Sequence, residues 1–225
     1  GRKGREGRWV DYFDERAVQD KQLSDEQQRL ASQDWRGGPR LVRGVAGSGK
    51  TVVLATNLAR LIERWGKEQL ALFDAPVERQ ALAVCVNRTL VPVINKKVRA
   101  AYRQRTGGND MPSKAVEATH INKLMYELSK TGLWEYQRVR EEGGNSAEDR
   151  ARYYLGAIKD EIRRGAPLLE SLRYDAIYVD EGQDLLEAEY QVLAELCKQD
   201  EKTAEPNLFI FYDDAQNMYG RARPK

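Results

Sequence analysis

The chain has little of what metal and redox chemistry needs. It carries one histidine, His120, and two cysteines, Cys85 and Cys197, in 225 residues. Both cysteines sit in apolar strand-like or helix-like surroundings. They read as reduced core residues, which excludes a disulfide framework, a thiolate zinc site and redox chemistry. No apolar run approaches the length of a membrane span, and the N-terminus lacks the apolar core of a signal peptide. These absences predict a cytoplasmic protein. Charge of one sign is lacking as well. With 37 basic and 35 acidic side chains the net charge is +2, too balanced for the total alone to imply a nucleic-acid partner. There is no internal repeat and no low-complexity tract. The length and the 41% hydrophobic content support a globular protein of one large or two small domains.

One local absence is more informative. Between Glu78 and Asp110 there is no acidic residue, whereas Arg79, Arg88, Lys96, Lys97, Arg99, Arg103 and Arg105 all fall inside. This predicts a cationic surface, or else a solvated helix face. Residues 1–22 form a basic extension whose first eight residues, Gly1 to Arg8, are glycine-rich, as frayed termini commonly are. A first residue that is Gly and not Met suggests an excised or processed piece of something longer.

Along the chain, Ser24-Asp25-Glu26-Gln27 has the form of a capping box and predicts a helix from about Asp25 to Asp34, broken by Trp35 to Pro39. Strand candidates follow at Arg40–Val45, Ala81–Val86, Ala176–Val179 and Leu208–Tyr212, separated by helical stretches. That alternation predicts an α/β fold, a parallel sheet with helices on both faces and ligands at the edge where the strands end. Two breaks, Thr106 to Ser113 and Glu141 to Ser146, read as connections. After the second, Ala151, Tyr154, Leu155, Ile158 and Ile162 recur at helical spacing and predict a core-facing stripe. Residues 133–172 are therefore expected to be a small helical insertion.

The chemistry begins at Gly44-Val45-Ala46-Gly47-Ser48-Gly49-Lys50-Thr51, a glycine loop between an apolar run and a helix-patterned stretch. Glycines let successive N–H groups curl toward phosphates, and the helix N-terminus adds its partial positive charge. This is the pattern of a P-loop NTPase. Gly44, Ala46, Gly47, Ser48 and Gly49 would cradle ATP, Lys50 would reach the β- and γ-phosphates, and Thr51 would place its hydroxyl on Mg2+. About 130 residues beyond Lys50, Ala176-Ile177-Tyr178-Val179-Asp180-Glu181 is an apolar strand ending in two acids, a Walker B arrangement. Asp180 is placed to hold Mg2+, a hard cation that prefers carboxylate oxygens, and Glu181 to orient and deprotonate water.

Further residues resemble one family. Asp180-Glu181-Gly182-Gln183-Asp184 resembles motif II (D-E-x-Q-D) of the UvrD/Rep-type superfamily 1 DNA helicases. The segment from Leu208 to Gly220, with Asp213, Gln216 and Tyr219, is similar to their motif III. Leu23 to Gln27 resembles the Q motif, Val84 to Arg88 motif Ia, and Thr119-His120 motif Ib. All occur in family order, with the glycine loop in its place. The resemblance implies the N-terminal RecA-like domain, 23–132 and 173–225, interrupted by a reduced insertion.

The resemblance also implies roles. Gln27 serves the adenine edge, the capping box, or both. Gln183 and Gln216 would sense the γ-phosphate or the attacking water. Asn87, Arg88, His120 and Tyr219 would contact single-stranded nucleic acid, DNA before RNA, with Tyr219 offering a stacking face. Departures stand beside it: Tyr212 where the family has Gly, Arg221 where many members have Trp, and Val52 where many carry Arg. The sequence stops at Lys225, before motifs IV to VI and the second RecA-like domain, which in the family supplies arginines to the ATP. Slow hydrolysis by the chain alone is the expectation. The competing reading is a nucleotide-dependent binding or regulatory module without unwinding activity.

Overall fold

Five parallel strands form one sheet in the computed structural model, which describes residues 24–44, 47, 49–72, 78–129, 146–165 and 171–213. The strands are β1 (Arg40–Gly44), β2 (Ala81–Cys85), β3 (Val116–His120), β4 (Ala176–Val179) and β5 (Leu208–Asp213), in the order β1-β5-β4-β2-β3. The helices are α1 (Asp25–Ser32), α2 (Lys50–Leu72), α3 (Leu90–Arg105), α4 (Ile121–Ser129), α5 (Ala147–Arg164) and α6 (Glu187–Leu196). β2, β4 and β5 are buried along their whole length, as expected of parallel strands covered on both faces. β1, at the sheet's edge, is half-buried at Val42 and Gly44 and exposed at the rest.

Period-2 alternation sorts the strand side chains into two cores. Ala81, Ala83, Cys85, Ala176, Tyr178, Phe209 and Phe211 point to one face, where they meet Leu54, Leu58 and Ile62 of α2 and Ile94 and Val98 of α3. Trp35 packs there against Phe209 and Phe211, with ring centroids 5.4 and 5.9 Å apart. Leu82, Val84, Ile177, Val179, Leu208 and Ile210 point to the other face, toward Ile121 and Leu124 of α4, Tyr154 and Ile158 of α5, and Val192 and Leu196 of α6. The stripe anticipated on α5 is therefore core: Ala151 is buried, and Leu155 and Ile162 pack against the same cluster. The described part of the expected insertion shares the sheet's own core.

The elements differ from expectation in a few places. α1 ends two residues early because the chain turns extended at Gln33 to carry Trp35 into the core. β2 stops at Cys85, and Val86 is a bend. β5 runs one residue further, so that Asp213 pairs with Gly44. β3 was not anticipated, because Val116-Glu117-Ala118-Thr119-His120 is short and carries two ionisable residues; it holds its place at the sheet's edge through its register with β2. Residues 1–22 and the C-terminal part of the motif III segment, from 214 onward, lie outside the described residues. Among the described residues no helix is long and apolar enough to cross a membrane.

Candidate functional site

In a parallel sheet the strand ends share one edge, and here that edge gathers the acids and the glycine loop. Gly47 and Gly49 both have left-handed φ, +74° and +78°. A Cβ on Gly49 would lie 2.9 Å from Gln27 Nε2, so the Gln27 amide rests on the loop. The capping box is formed at the same time, with Ser24 N–H donating to Gln27 Oε1 at 2.9 Å and Gln27 N–H donating to Ser24 Oγ at 3.3 Å. Val45, Ala46 and Ser48 lie outside the described residues.

α2 opens at Lys50, directly after the loop, so its first N–H groups face the same edge. Lys50 is 8% exposed; its Nζ donates to Gly44 O at 3.2 Å and lies 3.4 Å from Asp213 Oδ2. Asp213 is fully buried and arrives there because β5 neighbours β1. Thr51 Oγ1 donates to Asp180 Oδ2 at 2.8 Å across 129 positions of sequence. Asp180 follows β4 and is fully buried, and its N–H donates to Val84 O at 2.8 Å. Burial raises its carboxyl above the ordinary aspartate range and Glu181 adds to that, while the Thr51 hydroxyl and Lys50 oppose it.

Glu181 stands in the left-handed region at φ +52°, a costly conformation for a residue with a side chain. The turn after it is Gly182–Asp184, a 3-10 turn lying against β5. Only glycine fits at 182: a Cβ would lie 2.6 Å from Ile210 Cγ2 and 2.7 Å from the Tyr190 hydroxyl. That hydroxyl donates a short hydrogen bond to Gly182 O. The buried Gln183 amide spans two elements: Nε2 donates to Glu181 Oε2 at 2.7 Å, and Oε1 accepts from Asp213 N–H at 2.9 Å.

Further along the edge, past β4, the ends of β2 and β3 bring Asn87, Arg88 and His120 together. Cys85 is in register with His120. Asn87 Oδ1 accepts from Thr89 N–H at 3.0 Å and from Thr89 Oγ1 at 2.9 Å, and His120 Nδ1 accepts from Lys123 N–H at 3.3 Å, so each also caps a helix start. Partial burial, then Arg88 and Lys123, push His120 below the usual histidine range, which keeps it neutral near pH 7.

Thus Gln27, Gly44, Gly49, Lys50, Thr51, Asp180, Glu181 and Gln183 occupy the β1/β5/β4 part of the edge. Asn87, Arg88 and His120 occupy the β2/β3 part. Gln216 and Tyr219 lie outside the described residues. Sequence reasoning left two residues of this corner unassigned, Asp213 and Tyr190. The aspartate was visible as the acid closing the β5 run; nothing local singles out the tyrosine.

Among the described residues no group of three or more His, Cys, Asp or Glu could cage a metal ion. Mg2+ does not ask for one, since it is held by one or two carboxylates together with phosphate oxygens and water. The oxygen pair of Thr51 and Asp180 fits that requirement. Comparison with models of known protein families and with curated protein sequences gave no match to this chain.

Proposed function

We propose that the chain is the ATP-binding RecA-like motor domain of a superfamily 1 DNA helicase or translocase, which couples ATP hydrolysis to movement on single-stranded nucleic acid. The observation that carries this reading is the convergence of Lys50, Thr51, Asp180 and Glu181 on one corner of the sheet from two distant sequence segments. A glycine loop alone suits many phosphate-binding proteins. A glycine loop whose threonine meets a strand-end aspartate followed by a glutamate suits metal-assisted attack of water on a triphosphate.

In this reading the loop amides and Lys50 hold the phosphates, and Gln27, resting on Gly49, lies beside the base. Thr51 and Asp180 would hold Mg2+, whose chemistry is to neutralise charge on the phosphate oxygens. Glu181 takes the proton of the attacking water. Asn87, Arg88 and His120, one strand pair away on the same edge, would contact a nucleic-acid backbone. Their neighbourhood to the phosphate corner is what favours a motor over an unrelated phosphate-transfer enzyme.

Two measurements test this. Lys50→Ala is expected to weaken binding of a fluorescent ATP analogue by roughly 10- to 100-fold, and unchanged affinity would refute the nucleotide site. ATPase activity measured with and without single-stranded DNA tests the coupling; stimulation by the strand is expected. A rate indifferent to it would favour the regulatory-module reading.

A further inference from the structure

Glu181 is gripped from two directions, and neither grip belongs to the phosphate loop. Its carboxylate accepts from Gln183 Nε2 at 2.7 Å, and Gln183 is itself fixed by the Asp213 N–H at 2.9 Å on Oε1. Its backbone is held in the left-handed region by a turn with no room for a side chain at 182, where the Tyr190 hydroxyl bonds the Gly182 carbonyl. We propose that Gln183 and Tyr190 are positioning residues that together set the direction of the Glu181 carboxylate, Gln183 by holding its oxygen and Tyr190 by locking the turn beneath it. This rests on the reading of Glu181 as the base that takes a proton from water.

The geometry has a directional consequence. Gln183 accepts from the residue whose side chain faces Lys50 and donates to the residue that faces the water, so its amide joins the end of β5 to the end of β4. A displacement of Asp213 is thereby felt at Glu181. Gln183 acts through the glutamate and does not need to touch the phosphate.

Gln183→Glu separates the two bonds. The new carboxylate still accepts from Asp213 N–H, so the buried amide keeps its partner, but it repels Glu181 where the glutamine donated. Tyr190→Phe removes the hydroxyl and keeps the ring. The test is single-turnover phosphate release from radiolabelled ATP with protein in excess, alongside affinity for a fluorescent ATP analogue. Gln183→Glu is expected to slow release about 10- to 100-fold, the scale of a misplaced catalytic group. Tyr190→Phe is expected to slow it by about three- to tenfold, with nucleotide affinity in both variants within about threefold of the parent. In a Glu181→Gln background neither substitution should slow release further, because the group they position is gone.

Release by Gln183→Glu within about twofold of the parent, or the same loss with and without Glu181, overturns the proposal. So does a parent rate no faster than that of Glu181→Gln. Failure of the underlying nucleotide site would show separately, as affinity unaffected by Lys50→Ala.

Discussion

The two ends of the sheet handle charge in opposite ways. At the carboxyl end a few charges are buried: Lys50 donates to Gly44 O and forms an ion pair with Asp213, and Asp180 accepts from the Thr51 hydroxyl. At the amino end many charges meet near the surface as ion pairs, with Arg36 and Arg79 converging on Glu68, Arg64 on Asp34, and Lys198 on Asp175. Water screens the second kind and not the first. One end buries its charges, the other leaves them partly in solvent.

The acid-free stretch between Glu78 and Asp110 belongs to both ends. Arg79 precedes β2, at the amino end; Arg88 follows it, at the carboxyl end; and α3 then runs back. With a rise of about 1.5 Å per residue, Arg103 lies about 20 Å from the start of α3 at Leu90. The pairing follows this geometry. Arg79, Arg103 and Arg105, all toward the amino end, are matched by Glu68, Asp110 and Glu63. Among the described residues no ion pair engages Arg88, Lys96, Lys97 or Arg99. A cationic run in sequence thus becomes a half-neutralised surface, and the unmatched half lies toward the carboxyl end of the sheet.

The largest effect that could break the contrast is expected at Lys50. If Lys50 holds the phosphates as proposed, Lys50→Ala removes a charged partner worth about 1.5–3 kcal/mol, or roughly 10- to 100-fold in nucleotide affinity. It also takes the ammonium away from Asp213, which is fully buried, and breaking a buried pair from one side costs about 3–5 kcal/mol. Urea unfolding should register that loss, and adding Asp213→Asn should recover most of the stability but none of the affinity. Recovery of neither would mean that the pair is not what holds the corner.

Much of this was legible in the sequence, and the reasons are local. The glycine loop, the capping box at Ser24 and Gln27, and the strand ending at Asp180 each carry their signal within a few residues. The helical stripe on α5 was legible through periodicity alone, and its core residues Tyr154 and Ile158 lie where that spacing put them. β3 was not legible, because its five residues take their conformation from pairing with β2 and not from their own propensity. Neither was the Tyr190 bond to Gly182, nor the pairing of Arg105 with Glu63 across 42 positions. One-dimensional charge counting cannot see partners brought in by another helix.

A middle-sized effect would sharpen the comparison on the unmatched half. If Arg88, Lys96 and Arg99 track a backbone, changing all three to alanine should weaken single-stranded DNA binding uniformly across sequences. The slope of log affinity against log salt should fall by about 0.7 per lost contact. Nucleotide affinity should stay as it was, because none of the three touches the Lys50 corner in the described contacts. Fluorescence anisotropy over a salt series measures this. An unchanged slope would make the free cations a solvated helix face.

The smallest effect is expected at Arg103, and its smallness is the informative part. Arg103 shares a face of α3 with Lys96 and Arg99 and would count equally in any tally of basic residues. Its guanidinium is, however, already engaged with Asp110 at 2.5 Å, in a pair whose side chains are 62% and 79% exposed. An exposed pair of this kind contributes about 0–1 kcal/mol, so Arg103→Ala should barely move the urea midpoint. Because the arginine lies toward the amino end and is neutralised by its partner, the variant should also leave the salt dependence of strand binding unchanged. If the slope falls by as much per residue as in the Arg88, Lys96 and Arg99 variant, the strand runs the length of α3. The division between the two ends of the sheet would then not govern binding.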